Sequence, residues 1–376
     1  MLEAGAGCGI LSERKEPQNM FEDITVEQLL KLRKNDEVAV VDVRSPQEFR
    51  DATIPGSVNI PLFDDEERKQ VGTLYKQVSV EAAKQKGIEI VSRKLPAFIN
   101  EFKAFPRPIA VFCWRGGMRS KTAATLLSLA GIRVSRLVGG YRSFRRWVVG
   151  TLDTFEFKPH AIVLNGLTGT GKTKLLRRLA AEGYPVLDLE EMAGHRGSIF
   201  GQVGLEPNNQ KTFDSLLALE LVKLNEQPYV IMEAESRRLG KVCLPPFLVE
   251  AKRKGTHLYV DIPTEARVES ILSEYEPAKH HQECMAAFSR IKRRIHTPAA
   301  AEIERLLGEG AYAGAVELLL RYYYDPRYEH AFRQYDHEPI VCRGNDVEEA
   351  LAAVKSAIRS LFGSGESSRD RHRHGA

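Results

Sequence analysis

The sequence predicts an α/β protein built as two parallel-sheet blocks in series. Three observations carry this. The chain has 376 residues, enough for two or three domains. Short apolar runs alternate with helical patterns along its length, the signature of parallel sheets with helical crossovers. Twice, an apolar run ends in a glycine-rich loop that opens directly into a helix. These stretches are "IAVFCWRGGMRS" and "IVLNGLTGTGKT".

In the first block, "ITVEQLLKLRK" has helical spacing, with Thr25 as N-cap. "EVAVVDVR" reads as a buried strand. "SPQEFRDATIPGSVNIPL" reads as loop, because its prolines break regular structure. The stretch from "EERKQVGTLYKQ" to "LPAFINEF" reads as mostly helical. "PIAVFC" is a second strand, followed by a glycine loop and the helix "SKTAATLLSLAG". "VSRLVGGYRSFRRWV" is a strand, a glycine turn and a helix.

The second block opens with strand, loop and helix at "HAIVLNGLTGTGKTKLLRRLAAEG". "PVLDLE", "PYVIMEAES", "THLYVDIP" and "HEPIVCRG" read as further strands. "NQKTFDSLLALELVKLNEQ", the region from "EARVESILSEY" to about Tyr324, and "VEEALAAVKSAIRSLF" read as helices. The expected boundaries are a disordered leader at 1–19, a first domain at 20–150 and a linker at 151–159. A second domain with a helical insertion follows at 160–362, then a disordered tail at 363–376. Met20 is an alternative start, and no internal repeat is present.

The composition, 43% apolar and 28% charged, is that of an ordinary globular protein. No apolar run is long enough to cross a membrane, and the N-terminus lacks signal-peptide architecture. Cys8, Cys113, Cys243, Cys284 and Cys342 form neither a metal-ligand pattern nor a disulfide framework. That usage points to a reducing, cytoplasmic setting. Net charge is only +4, but basic residues cluster at Arg142/Arg145/Arg146, Lys174/Arg177/Arg178, Lys252–Lys254 and Lys292–Arg294. Each cluster alone reads as a solvated helix face; four together make a polyanionic partner plausible.

Cys113 sits where a strand ends and a helix is about to begin. The loop Trp114, Arg115, Gly116, Gly117, Met118 and Arg119 can curl so that backbone amides face inward as an anion nest. The following helix adds its positive N-terminal end. A cysteine there is expected to be largely thiolate near neutral pH, with Arg115 and Arg119 clamping a bound oxyanion. Asp42 and Arg44 are read as structural.

"GLTGTGKT" completes the G-x-x-x-x-G-K-[ST] phosphate loop in its required strand–loop–helix context. Gly166, Gly169 and Gly171 free the backbone to wrap a phosphate. Lys172 supplies charge, and the Thr173 hydroxyl could hold Mg²⁺. Asp188, Glu233 and Glu235 stand at strand ends where acids could hold a metal through water, although the metal itself is left open. His195 and Arg196, in "HRGSIFG", read equally as phosphate-facing residues or as a tight turn. Tyr322–Tyr324 with Asp325 and Pro326 read as a packed helix end.

"VVDVRSPQEF", "IPGSVNIPL", the Cys113 loop and "LVGGYRSFRRW" make the first block resemble the rhodanese domain family, whose members carry sulfur as a cysteine persulfide. This sequence departs from the usual spacing. Five residues separate Cys113 from Arg119, as in the dual-specificity phosphatases built on the same fold. The wider loop implies a phosphate-sized guest.

The whole chain, about Phe21 to Phe362, resembles the bacterial tRNA 2-selenouridine synthases. "DDEERKQVGTLYKQ", "DLEEMAGHRGSIFG", "MEAESRRLG" and "YYYDPRY" carry the likeness beyond the two loops. The resemblance implies a rhodanese-like parallel-sheet domain followed by a P-loop NTPase-like α/β domain. It implies replacement of sulfur in wobble 2-thiouridine of tRNA by selenium from selenophosphate, through an S-geranylated intermediate made from geranyl diphosphate. No tightly bound cofactor is expected. The partners implied are the anticodon arm of tRNA and a selenophosphate-supplying enzyme. Cys113 would either carry selenium as a perselenide or attack C2 of the base. Trp114 would stack on the flipped uridine or pack against the protein. Three other readings stand beside this one: a rhodanese-fold cysteine phosphatase, a sulfurtransferase fused to a small-molecule kinase, and a nucleotide-gated binding module. Phe112 counts against the phosphatase, which usually has histidine before its cysteine.

Overall fold

The computed structural model describes residues 20–327 and 338–363. The expected leader, Cys8 and the tail beyond Gly363 lie outside them. The chain divides into two compact units between Trp147 and Val148.

The first unit is built on strands β1 (Glu22–Ile24), β2 (Ala39–Asp42), β3 (Val58–Asn59), β4 (Ile109–Phe112) and β5 (Val134–Leu137). They form one sheet in the order β1-β5-β4-β2-β3, parallel at every pairing. β4 is buried at all four positions, as expected of a central strand covered on both faces. Its carboxyl end delivers Cys113, a common place for function in open α/β sheets.

"SPQEFRD" is more regular than its prolines suggest. Pro46–Asp51 is a helix with Pro46 in the first turn, and Ser45 and Glu48 form a capping box. The long helical stretch splits at Ser79, which caps the second of two helices, Asp65–Gln77 and Val80–Lys103.

The second unit uses β6 (His160–Gly166), β7 (Val186–Leu187), β8 (Tyr229–Glu233), β11 (Thr256–Asp261) and β12 (Ile340–Arg343). Their order is β12-β11-β6-β8-β7, again all parallel. A small antiparallel hairpin, β9 (Arg238–Leu239) and β10 (Val242–Cys243), follows β8. Between β11 and β12 lie the helices Thr264–Tyr275, His281–Ile291, Thr297–Gly308 and Tyr312–Leu319. The last three of these helices share a core of their own around Phe288, Ile291 and Ile303. The segment expected as a linker differs in detail. The helix Gly140–Asp153 runs into it, and Phe155 and Phe157 pack on the second unit's core.

Candidate active site

Cys113 closes β4 and is only 3% exposed, with Sγ 3.2 Å from the Ser120 hydroxyl. That hydroxyl can donate to a sulfur anion. The loop curls as its glycines allow: Gly116 has φ +64°, and a Cβ there would stand 2.7 Å from the Gly139 amide nitrogen. Gly139 and Gly140, both at positive φ, bring the next turn against it. There the Tyr141 amide donates to the Cys113 carbonyl at 2.8 Å and the Arg142 amide to the Trp114 carbonyl at 3.0 Å. Arg136, paired with Asp23, braces the loop from another side by donating to the Gly116 carbonyl at 3.1 Å.

The two arginines expected to clamp an oxyanion differ. Arg115 is exposed, with no partner among the described residues. Arg119 is largely buried and grips the Glu48 carboxylate through both terminal nitrogens, one contact at 3.1 Å. Burial opposes the charge on Arg119, but the hydrogen bonds and charge of Glu48 overrule it and raise its pKa. Burial likewise opposes the Glu48 carboxylate, which Arg119 and Arg68 still hold below its ordinary value. Arg119 is thus a half-satisfied clamp, and an arriving anion must share it with Glu48.

Asp42 and Arg44 are structural. Both are buried, and Arg44 makes a bidentate pair with Asp42 and donates to the Ala52 carbonyl at 2.7 Å. Its guanidinium lies 4.5 Å from the Tyr141 ring centroid and 5.9 Å from that of Trp114. Trp114 is therefore packed on one side, yet 40% exposed.

In the second unit, the phosphate loop leaves β6 and ends in the helix Lys172–Ala181. Gly166, Gly169 and Gly171 all take positive φ. Lys172 folds back over the loop, its Nζ donating to the carbonyls of Gly166 and Leu167 at 3.0 and 3.2 Å. Arg267, buried and paired with Asp325, donates to the Thr168 carbonyl at 2.8 Å and pins the loop. Asp325 follows a π-helical turn at Leu320–Tyr324 in which Tyr323 is buried, so this segment is a packed helix end tied to the phosphate loop.

The acids rank differently from their sequence order. Thr173 donates to Glu190 at 2.7 Å, making Glu190 the acid beside the phosphate loop. Its pKa rises to about 8, chiefly through burial and then through repulsion from Glu235. Glu233 is fully buried and also shifted well upward, by burial and the neighbouring Asp188 and Glu190. One of its oxygens accepts from the Leu189 amide at 3.1 Å, while the other has no partner among the described residues. Asp188 caps a short helix through the Glu191 amide at 2.7 Å.

Glu235 lies against Gly197, where any side chain would collide with its carboxylate. Lys252, read from sequence as part of a solvated cluster, is buried. It donates to the Glu235 carbonyl, and desolvation lowers its pKa to about 8. Arg196 is consumed by the Val203 carbonyl, Glu274 and the Tyr275 ring, so it rivets the turn. Burial, then Arg196, keeps His195 toward its neutral form. Its Nδ1 is buried without a partner among the described residues. Among the described residues, no group of three or more His, Cys, Asp or Glu is arranged to hold a metal ion.

Two family descriptions match the chain: a rhodanese-like domain over residues 25–146, and a tRNA 2-selenouridine synthase AAA domain over residues 159–359. The second alone covers more than half the chain. The chain belongs to the tRNA 2-selenouridine synthase family. The tRNA 2-selenouridine synthase of Aeromonas salmonicida (strain A449) is 35% identical over 344 residues, 82% of this chain and 91% of its own. That of Nitrosomonas eutropha is 36% identical over 296 residues, 74% of each chain. That of Bdellovibrio bacteriovorus is 32% identical over 336 residues, 77% of this chain and 88% of its own.

In this synthase-family chain each unit carries one loop. Residues 113–119 gather around β4 and residues 166–173 around β6. Glu48, Arg136, Glu190 and Arg267 serve these loops without standing in either motif, while Lys252 holds the Glu235 backbone. Glu48 had a local signal in the S-P-Q-E capping pattern. The others reach their loops only through the tertiary fold. No helix among the described residues is long and apolar enough to cross a membrane.

Proposed function

We propose that this protein is a tRNA-modifying enzyme that replaces the sulfur of wobble 2-thiouridine with selenium. Geranyl diphosphate first alkylates the base, and selenophosphate then delivers selenium. The observation that carries this reading is the pairing, in one chain of this family, of a buried cysteine in a C-x5-R loop with a complete phosphate loop.

In the first step the thiocarbonyl sulfur attacks C1 of geranyl diphosphate. The C–O bond breaks, diphosphate leaves, and N3 of the base gives up its proton. The loop 166–173 would hold the diphosphate, with Lys172 turning from its carbonyl partners to the phosphate oxygens. Thr173 and Glu190 offer adjacent hard oxygens suited to Mg²⁺ shared with a diphosphate, the usual way this ion is held. When bound, it would supply charge neutralisation to the leaving group.

In the second step C2 loses geranylthiol and gains selenium. Water then cleaves the Se–P bond and releases phosphate. Arg115 and the shared Arg119 would bind the selenophosphate oxygens. Cys113 would attack C2 first and expel geranylthiol, and selenium would then displace the cysteine sulfur from C2, with Ser120 donating to that sulfur; the exposed face of Trp114 offers a stacking surface for the base. Arg142 and its neighbours would add phosphate contacts to the anticodon arm.

The test is nucleoside mass spectrometry on 2-thiouridine-containing tRNA incubated with the protein and selenophosphate, with and without geranyl diphosphate. The reading expects 2-selenouridine only when both small molecules are present. Selenouridine formed at full rate without geranyl diphosphate would remove the alkylated intermediate.

A further inference from the structure

Beside the cysteine loop the first unit carries a large open groove that none of the steps above uses. It lies between the helices Asp65–Gln77, Val80–Lys103 and Met118–Leu129, with a volume of about 670 Å³. Its lining reaches the cysteine loop itself through Met118 and Arg119. The floor is apolar, formed by residues such as Leu62, Phe63, Val91 and Leu126.

Two features set this groove apart from an ordinary crease between helices. Four of its large apolar side chains stand open to solvent: Tyr75 at 61%, Val80 at 45%, Ile88 at 71% and Met118 at 62%. Exposed apolar side chains gathered along one groove make it a candidate binding surface. Its charged lining residues are Arg68, Lys76, Lys84 and Arg119; Arg68 and Arg119 are paired with Glu48, and Lys76 and Lys84 have no carboxylate partner among the described residues. The sequence reading took this stretch only as mostly helical.

An apolar floor with a cationic rim fits one ligand chemistry well: a branched hydrocarbon chain attached to a polyanion. The alternation of exposed Tyr75 and Ile88 with small residues at Gly72, Ala83 and Gly87 leaves a trough rather than a flat face. The volume of the groove exceeds that of a ten-carbon chain. The small pocket next to the phosphate loop, lined by Thr168, Ile271 and Tyr275, offers only about 50 Å³ and cannot take the whole chain as it stands.

We infer that this groove seats the prenyl chain of an S-prenylated nucleoside in tRNA while C2 of that base faces Cys113. The inference rests on the proposed two-step reaction and adds where its intermediate is held. The hydrocarbon lies in the trough, the RNA phosphates meet the cationic rim, and geranylthiol departs into the groove when Cys113 displaces it. Recognition of the alkyl chain at the selenation site would make the second step favour the geranylated base over a shorter thioether. Burial of each additional methylene strengthens binding severalfold.

The full-length protein tests this with anticodon stem-loops carrying S-geranyl-2-thiouridine or S-methyl-2-thiouridine, read by direct binding. The wild type should prefer the geranyl form at least about tenfold, given the apolar area on offer. Gly87→Leu fills the trough. It suits a helix interior better than glycine, and its Cβ meets only the Phe63 ring edge at 3.4 Å. It should erase most of that preference and leave binding of the S-methyl stem-loop unchanged. Ile88→Ser, at an exposed position, should lower the preference severalfold by removing apolar lining.

Equal affinity of the wild type for both stem-loops, or an undiminished preference in both variants, overturns the inference. So does a dimer of the wild type that Ile88→Ser dissolves, because a second copy would then be what covers the groove. Failure of the two-step reaction reads differently: the geranyl stem-loop would bind preferentially, yet yield no 2-selenouridine when selenophosphate is added.

Discussion

Glu190 makes the protein's stability fall as pH rises, and Glu190→Gln should remove much of that dependence. The carboxyl is 9% exposed and its pKa climbs from 4.5 to about 8. Between those values the folded state keeps a proton that the unfolded chain has released. By linkage, stability is then fully present below about pH 4.5 and is lost progressively up to about pH 8, at about 1.4 kcal/mol per pH unit. From pH 5.5 to 7.5 the loss attributable to this group is about 2.5 kcal/mol. Gln keeps the acceptor for Thr173 and cannot ionise. It also relieves Glu233, whose upward shift owes part of its size to Glu190.

Lys252 does not confuse the reading. Its folded pKa of about 8 lies below the ordinary lysine value, so its contribution changes above this window and with opposite sign. The assay is urea unfolding of wild type and variant at pH 5.5, 6.5 and 7.5, following the transition of the second unit. The margin of the variant over the wild type should grow by about 2–3 kcal/mol between pH 5.5 and pH 7.5. Parallel pH dependences for the two proteins would refute the argument that Glu190 folds protonated.

Three further outcomes follow from the first unit. Asp42→Asn leaves the Arg44 charge buried without its carboxylate and should cost about 3–5 kcal/mol. The Arg44→Met partner change should recover part of that in a double-mutant cycle measured by denaturant unfolding. Gly140→Ala forces a Cβ into the Cys113 carbonyl and the Gly116 amide at a φ of +57° and should cost about 1–3 kcal/mol in strain alone. Gly117→Ala meets nothing within 4 Å and should change stability by less than about 0.5 kcal/mol.

The legible part of this protein is the part whose chemistry is local. A strand, a glycine loop and a helix are consecutive in the chain, so residues 113–119 and 166–173 could be placed before any tertiary contact was known. The capping box at Ser45 and Glu48 was also local, but the prolines around it masked a short helix. What escaped is pairing over distance. Glu48 reaches Arg119 across 71 residues, and Glu190 reaches Thr173 across 17. A strand-end position made Glu233 look like the acid for the phosphate loop, whereas full burial turns it toward the Leu189 amide. Lys252 looked like one of three solvated cations because periodicity alone does not show that Glu235 waits beneath it. The groove was hidden for a related reason. Tyr75 and Ile88 sit at apolar positions of amphipathic helices, and only the assembled unit reveals that nothing among the described residues covers them.

The division of labour between the two loops is the central claim, and one experiment addresses it most directly. Cys113→Ala and Lys172→Ala proteins would each be incubated with 2-thiouridine-containing tRNA, geranyl diphosphate and selenophosphate, and the nucleosides quantified by mass spectrometry. The account predicts that Cys113→Ala accumulates S-geranyl-2-thiouridine and forms no 2-selenouridine. Lys172→Ala should leave 2-thiouridine largely unreacted, yet still convert tRNA supplied already geranylated. Loss of geranylation in correctly folded Cys113→Ala, or loss of selenation of pre-geranylated tRNA by Lys172→Ala, would contradict it.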